Sequence, residues 1–318
     1  LRRIARRLVP LSLRLALARE REAAEVWGEA PAPVAPGHER QWTELAQVRE
    51  LINRRVSGDP AVDAYMYFLR TRLSGRLPVD AALTIGCGEG ALERGLAGHS
   101  FATRHDAIDV APRAVERAAA AARQAGLEHL RYRVADADSL ELEPSSYDVV
   151  LGVQAVHHIE KLEHLFRQAA IALRPGGLLF LDEFVGPSRF QWTSRQLEVV
   201  DGILSLLPER FRRSLADGRV RRRAHRPTIR EVRATDPSEA VRSGEIVAVL
   251  SESFEVLEVR PYGGTVLHLL LDDLAGNFVR EGTVGRELLA AIADLEWALV
   301  TSGDLPSDFA VVVARPRR

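Results

Sequence analysis

From residue 78 onward, short apolar runs alternate with stretches of helical spacing. The runs at 81–85 (AALTI), 106–110 (DAIDV), 130–135, 147–153 (YDVVLGV) and 178–184 (LLFLDEF) read as strands bounded by turn residues. Between them, 91–96 opens a helix. The segment 112–125 is an alanine-rich helix with proline at its start, where a missing N–H costs nothing. The segment 161–173 is a helix stopped by Arg174-Pro175-Gly176-Gly177. Strands alternating with helices predict βαβ units and a parallel sheet with right-handed crossovers.

The flanks have a different texture. Leucines at 8, 11, 15 and 17 recur near helical spacing among arginines, so 1–28 reads as an amphipathic arm, interrupted at Pro10. Such an arm packs on its own domain or on a second subunit, a homodimer through the N-terminal helices being one assembly it allows, and a membrane-surface helix is the alternative reading. A Pro/Ala hinge (29–37) and two further helical regions, 41–57 and about 60–73, complete an N-terminal arm or lid over 1–75. Residues 186–250 break the alternation with a mostly helical insertion that carries a basic run, 210–233. Strands at 254–262 and 309–314 and a helix at 286–299 follow; 265–271 is extended or helical.

Composition narrows the function classes. Lysine plus arginine, 43, against aspartate plus glutamate, 44, leaves a net charge of −1 and no global basic field for nucleic acid. In the basic run the interleaved aromatics of a nucleic-acid groove are missing, so a solvated, arginine-biased lid is the simpler reading. Cys87 is the only cysteine, which excludes an intramolecular disulfide and a cysteine zinc site and fits a reducing, cytoplasmic setting. No apolar run approaches the length of a membrane span. Leu1 is not an initiator methionine, so the numbering is read as beginning inside a longer product.

The candidate chemistry sits at the strand ends. Gly86-Cys87-Gly88-Glu89-Gly90 joins the first strand to a helix, where glycines permit a sharp turn and close ligand approach and the helix N-terminus offers free N–H groups. Asp109 ends the second strand, placed to accept hydrogen bonds from both hydroxyls of a ribose. Asp136 and Ala137 follow the third strand. A glycine cluster alone is weak evidence; glycines and acids at three successive strand ends are a much stronger signal.

With LTIGCGEG (83–90), the DV at 109–110, VADADSL (134–140), YDVVLGVQAVHHI (147–159) and LRPGGLLFLDE (173–183), the chain resembles the class I S-adenosylmethionine-dependent methyltransferases of small-molecule type. The resemblance covers about 80–185. It implies a Rossmann-like, seven-stranded, mainly parallel α/β sheet with helices on both faces, the last strand antiparallel, within a domain at 76–318 capped by 186–250. It also implies S-adenosyl-L-methionine as cofactor, held by Gly86, Cys87, Gly88, Gly90, Asp109, Val110, Asp136, Ala137, Val153 and Gln154. A nicotinamide oxidoreductase and a cofactor-binding scaffold without transfer activity are the rival readings.

Acceptor chemistry is expected after the fourth and fifth strands. A hydroxyl acceptor benefits from a base, and His157, His158 and Glu183 are the candidates, with Asp182 beside them. Arg189, Gln191 and Trp192, just past the fifth strand, and Tyr65 from the arm are candidate substrate contacts. No ligand spacing supports a metal. The Asn/Asp-Pro-Pro-Tyr signature for adenine or glutamine amino groups is replaced by Gly152–Ala155 (GVQA). A hydroxyl of a sugar or secondary metabolite is the expected acceptor, with C- or N-methylation of a natural product as the alternative.

Overall fold

The computed structural model describes residues 34–317. The amphipathic segment 1–28, and the dimer contact it allows, lie outside the described residues. A seven-stranded sheet forms from β1 (Val79–Ile85), β2 (Ala102–Asp109), β3 (Leu130–Val134), β4 (Tyr147–Val153), β5 (Leu173–Phe184), β6 (Phe254–Gly263) and β7 (Phe309–Pro316). Its order is β3-β2-β1-β4-β5-β7-β6. The pairs among β1 to β5 are parallel, and β7 inserts antiparallel between β5 and β6.

The central strands read as continuous apolar runs because both their faces are covered. Val149, Leu151, Phe180, Val311 and Val313 enter one core. Leu83, Val150, Leu179, Leu181 and Val312 alternate with them into the other. The first core is closed by α1 (Ala46–Ser57), α2 (Ala64–Arg72), α6 (Ser194–Leu206), α9 (Leu267–Leu271), α10 (Ala275–Arg280) and α11 (Gly282–Thr301). The second is closed by α5 (Leu162–Ala172) and α8 (Ile246–Ser253). Alongside, α3 (Ala91–Ala97) and α4 (Pro112–Gln124) follow β1 and β2.

Three expectations change. First, α2 is part of the core as well as a candidate lid: Phe68 packs 4.8 Å from Phe180, and the Tyr67 hydroxyl donates to Glu258 at 2.9 Å. Second, α8, which overlaps the end of the expected cap, packs on α5 and β6 in the second core. Third, the basic run is mostly non-helical. Arg213 and Val220 form an isolated bridge, and only α7 (Ile229–Thr235) follows. Arg221 is spent on the carbonyls of Leu269, Leu270 and Asp272, so one arginine of the run serves as a fastener. No described helix is long and apolar enough to cross a membrane.

Asp308, in the loop entering β7, is fully buried and accepts from Gln196 Nε2 at 3.2 and 3.1 Å. Burial, reinforced by the Glu296 carboxylate, pushes its pKa up to about 7. The folded state therefore holds a proton that the unfolded chain releases near its ordinary value of about 4. That contribution is fully present below about pH 4 and is lost as the pH rises through about 7. Asp308→Asn keeps an acceptor for Gln196 without the charge. It is expected to be more stable than the parent at pH 8 by on the order of 2–4 kcal/mol, and to flatten the fall in melting temperature between pH 5 and 8. Parallel melting curves with unchanged pH slope would refute the assignment.

Candidate active site

The glycine loop hooks back onto the end of β2: the Gly86 and Cys87 amides both donate to the Ile108 carbonyl at 2.9 Å. Gly86, Gly88 and Gly90 all have positive φ. Their surroundings separate their roles. A Cβ on Gly86 would overlap the Ala155 methyl, and one on Gly90 would meet the Tyr132 hydroxyl at 2.5 Å. One on Gly88 would meet nothing within 4 Å. Gly86 and Gly90 are thus demanded by the protein's own packing, and Gly88 leaves the open side that a ligand needs. Cys87 is buried, and burial, with Glu93 and Asp109 nearby, pushes its thiol far above the ordinary range. A thiol so placed favours its protonated form and fills space in the loop.

Asp109 faces this loop. Its Oδ2 accepts the Gly88 N–H and its Oδ1 the Ala111 N–H, each at 2.8 Å. One backbone partner per oxygen fixes the carboxylate plane while each oxygen retains lone-pair capacity. Val110 is half-buried beside it. Past β3, Asp136 Oδ1 accepts the Asp138 N–H at 2.9 Å, shaping the turn that carries Ala137. Asp138 in turn accepts the Lys161 N–H at 2.7 Å, tying this strand end to α5. The predicted cofactor residues therefore converge on one rim, as parallel strands with C-terminal glycine or acidic turns require. An adenosine with its ribose diol at Asp109 and its chain along Gly88 suits this donor and acceptor set.

At the end of β4, Val153 packs on the first core. Gln154 follows at φ +51°, its amide N–H bonded to the Asp182 carbonyl at 2.8 Å. Its Nε2 donates to the same carbonyl at 3.1 Å and to the Tyr262 hydroxyl at 3.4 Å. Tyr262 donates to Asp182 Oδ1 at 2.7 Å. Burial is the largest influence on Asp182 and pushes its pKa up to about 6, with Glu183 and Asp63 adding in the same direction. Tyr65, on α2, is half-buried and lies over Gly95, beyond the glycine loop. It borders the same core as Val153.

Glu183 points to the opposite face from Asp182, as strand alternation dictates. It is fully buried and accepts from the Ala155 and Val156 amides at 2.7 and 2.6 Å and from His157 Nδ1 at 2.7 Å. Those bonds hold the turn after β4, which gives Glu183 a positioning role where acceptor chemistry was expected. His157 Nε2 faces Glu239 at 3.7 Å, so both its ring nitrogens address carboxylates. Burial alone would drive the proton off His157, but Glu183 and then Glu239 outweigh it and hold the imidazole above its ordinary value. His158 Nδ1 meets the Ser238 hydroxyl at 3.2 Å, and burial next to His157 keeps it neutral, its pKa lowered to about 2.

The three substrate candidates after β5 are likewise spent on packing. Arg189 is buried and donates to the Pro237 and Glu239 carbonyls at 2.6 and 3.1 Å. Gln191 donates to the Arg189 and Pro227 carbonyls. Trp192 is buried and stacked 5.1 Å from Phe190. Two residues escaped the sequence reading. Phe190 is half-buried in the left-handed region at φ +55°, a strained state for a bulky side chain. His268, with Trp42, Phe184, Phe190, Trp192 and Phe309 around it, has a buried Nδ1 without a partner, and burial lowers its pKa to about 4. No local motif marks either; only the polar residue inside the apolar 265–271 run hinted at His268.

Comparison with known proteins matches residues 83–181 to the methyltransferase domain family. Ubiquinone biosynthesis O-methyltransferase of Methylocella silvestris is 34% identical over 166 residues, 52% of this chain and 60% of that protein. The 27-O-demethylrifamycin SV methyltransferase of Amycolatopsis mediterranei is 37% identical over 123 residues, 37% of this chain and 44% of that protein. The chain thus spans about three fifths of the length of the first of these relatives and under half of the second. Geranyl diphosphate C-methyltransferase of Streptomyces coelicolor shares the fold, with a TM-score of 0.52 at 13% identity over 94% of this chain and 98% of that one. The glycine loop, the acids at the ends of β2 and β3 and the 3-2-1-4-5-7-6 sheet fall within or around the matched segment, and that segment is similar to the methyltransferase domain family.

Proposed function

We propose that this protein transfers the methyl group of S-adenosylmethionine to a hydroxyl of a small molecule. The observation that carries the reading is the pairing of Asp109 with the open Gly88 on one rim, at the ends of the strands matched to the family. Hydroxyl acceptance is supported by the named O-methyltransferase among the relatives. A secondary metabolite is the acceptor class most in keeping with the rifamycin-modifying relative. The cofactor supplies a methyl carbon already activated by a sulfonium. The protein has to bind it, align the acceptor oxygen in line and keep water out.

The residues divide that work. Asp109 holds the ribose diol, Val110, Asp136 and Ala137 hold the adenine, and Val153 and Gln154 border the sulfonium side. Tyr65 closes the rim from α2. Asp182, on the same core face as Val153 and oriented by Tyr262, serves as the base in place of Glu183. A carboxylate titrating near 6 is deprotonated at neutral pH and still basic enough to take a hydroxyl proton as the bond forms.

The test is methyl incorporation from labelled cofactor into phenolic and polyhydroxylated acceptors. The expected product is an alkali-stable methyl ether, with kcat/KM rising as pH passes through about 6 and Asp182→Asn removing that limb. Binding of S-adenosylhomocysteine with no incorporation into any hydroxyl would overturn the reading.

A further inference from the structure

We propose that His157, His158 and Glu239 form a binding site for a divalent transition-metal ion, with zinc as the ion its donors suit. Among the described residues, these three bring one ligand atom each within 4.8 Å of one another. The site lies at the seam between the turn after β4 and the loop 236–241 and does not depend on the methyl-transfer reading.

The local backbone builds it. Val156–His158 forms a single 3-10 turn, which sets the two imidazoles with ring centroids 4.2 Å apart although they are neighbours in sequence. Glu239 is brought in from a distant segment by Arg189, whose guanidinium donates to the Pro237 and Glu239 carbonyls, and by the Val241 amide, which donates to the His157 carbonyl at 3.0 Å.

The surrounding shell is of the kind that metal-ligating histidines require. Ligating imidazoles donate their second nitrogen to a carboxylate or other acceptor, which fixes the tautomer and turns the remaining lone pair toward the ion. His157 Nδ1 does so to Glu183 at 2.7 Å, leaving Nε2 for the ion, 3.7 Å from Glu239 Oε1. His158 is oriented by Ser238, whose hydroxyl is itself bonded to Asp236 at 2.7 Å.

Donor type and spacing select among metals. Two nitrogens and one carboxylate exclude calcium and magnesium, which take oxygen sets. At bond lengths of about 2.0–2.1 Å, tetrahedral ligand atoms stand about 3.3 Å apart and facial octahedral ones about 2.9 Å. The observed 3.7 Å needs the smaller contraction to reach the tetrahedral value. Three protein ligands leave a fourth position for water. A filled site would clip the 236–241 loop to the turn after β4.

The test uses the whole chain, stripped with a chelator and dialysed. Cobalt(II) is titrated with its ligand-field spectrum followed, and zinc content is measured by mass spectrometry after loading and desalting. One equivalent with the intense visible bands of four-coordinate cobalt is expected, together with a zinc-dependent rise in melting temperature. Glu239→Gln and His158→Ala should each abolish stoichiometric retention, and Glu183→Gln should weaken affinity by about 10–100-fold. His99→Ala, exposed just past the end of α3, should leave binding intact. Circular dichroism of each variant separates lost ligation from lost folding. A parent protein that retains no metal, or variants that bind as the parent does, would overturn the site.

Discussion

Asp109→Asn is expected to weaken S-adenosylhomocysteine binding by about 100-fold in calorimetry, without unfolding the protein. Hydrogen bonds to a charged acceptor are each worth about 1.5–3 kcal/mol, and a ribose diol would make two of them. Asparagine preserves the shape and one acceptor, so either the Gly88 or the Ala111 tie survives, and with it most of the loop. Asp109→Ala removes both ties and the charge, so its affinity should fall further and its melting temperature should drop as well. The comparison separates ligand contact from loop support. Equal affinity for parent and Asp109→Asn would sink the ribose assignment.

The second large effect is on the fold. Arg55→Met should cost about 3–5 kcal/mol of unfolding free energy in urea titration. Arg55 on α1 pairs with Glu296 on α11 at 2.8 Å, with their side chains 7% and 0% exposed. Its guanidinium also donates to the Tyr262 and Ala293 carbonyls, while Glu296 Oε1 accepts the Val266 and Leu267 amides at 2.9 Å each. Removing the cation strands a buried carboxylate in a low-dielectric setting, which is where the penalty arises. Adding Glu296→Gln keeps an acceptor for those amides and removes the stranded charge, so the double variant should recover much of the loss. A single variant within 1 kcal/mol of the parent would show that the pair contributes nothing. The pair also backs the β6 end that carries Tyr262, so the cap and the proposed base share one support.

The parallel core was legible because its signals are local. Continuous apolar runs such as 147–153 announce strands covered on both sides, and a glycine or aspartate at each strand end marks the rim. The boundaries moved for local reasons too. The strand expected at 178–184 begins at Leu173, which pairs with Tyr147 ahead of an irregularity at Pro-Gly-Gly, where Gly176 has φ +79° and the ladder resumes at Leu178. The helix expected at 286–299 runs from Gly282 to Thr301, starting directly after α10 at Gly282, whose φ of +56° separates the two helices.

The candidate site was legible only in part. Asp109, Gly88 and Asp136 stand at the strand-end turns where their spacing placed them, because each is fixed by its own turn. Glu183, His157 and Arg189 are held in contacts that no local pattern announces, because their partners lie on distant segments. Arg189 is the clearest case: its φ of +56° turns the guanidinium into the loop near residue 239, which no pattern around 186–192 encodes.

By itself, then, the sequence determined the class of sheet, the order of glycines and acids along its rim, and the family that the segment 83–181 resembles. All of these depend on contacts within a strand, a turn or one βαβ unit. Only the tertiary structure decided which side chains remain for chemistry. Asp182 and Glu183 are adjacent in the chain, yet strand alternation sends one toward Tyr262 and the other under the turn after β4. A polar side chain's role is set by what desolvates it and what bonds it, and here those partners arrive from 26 to 80 residues away.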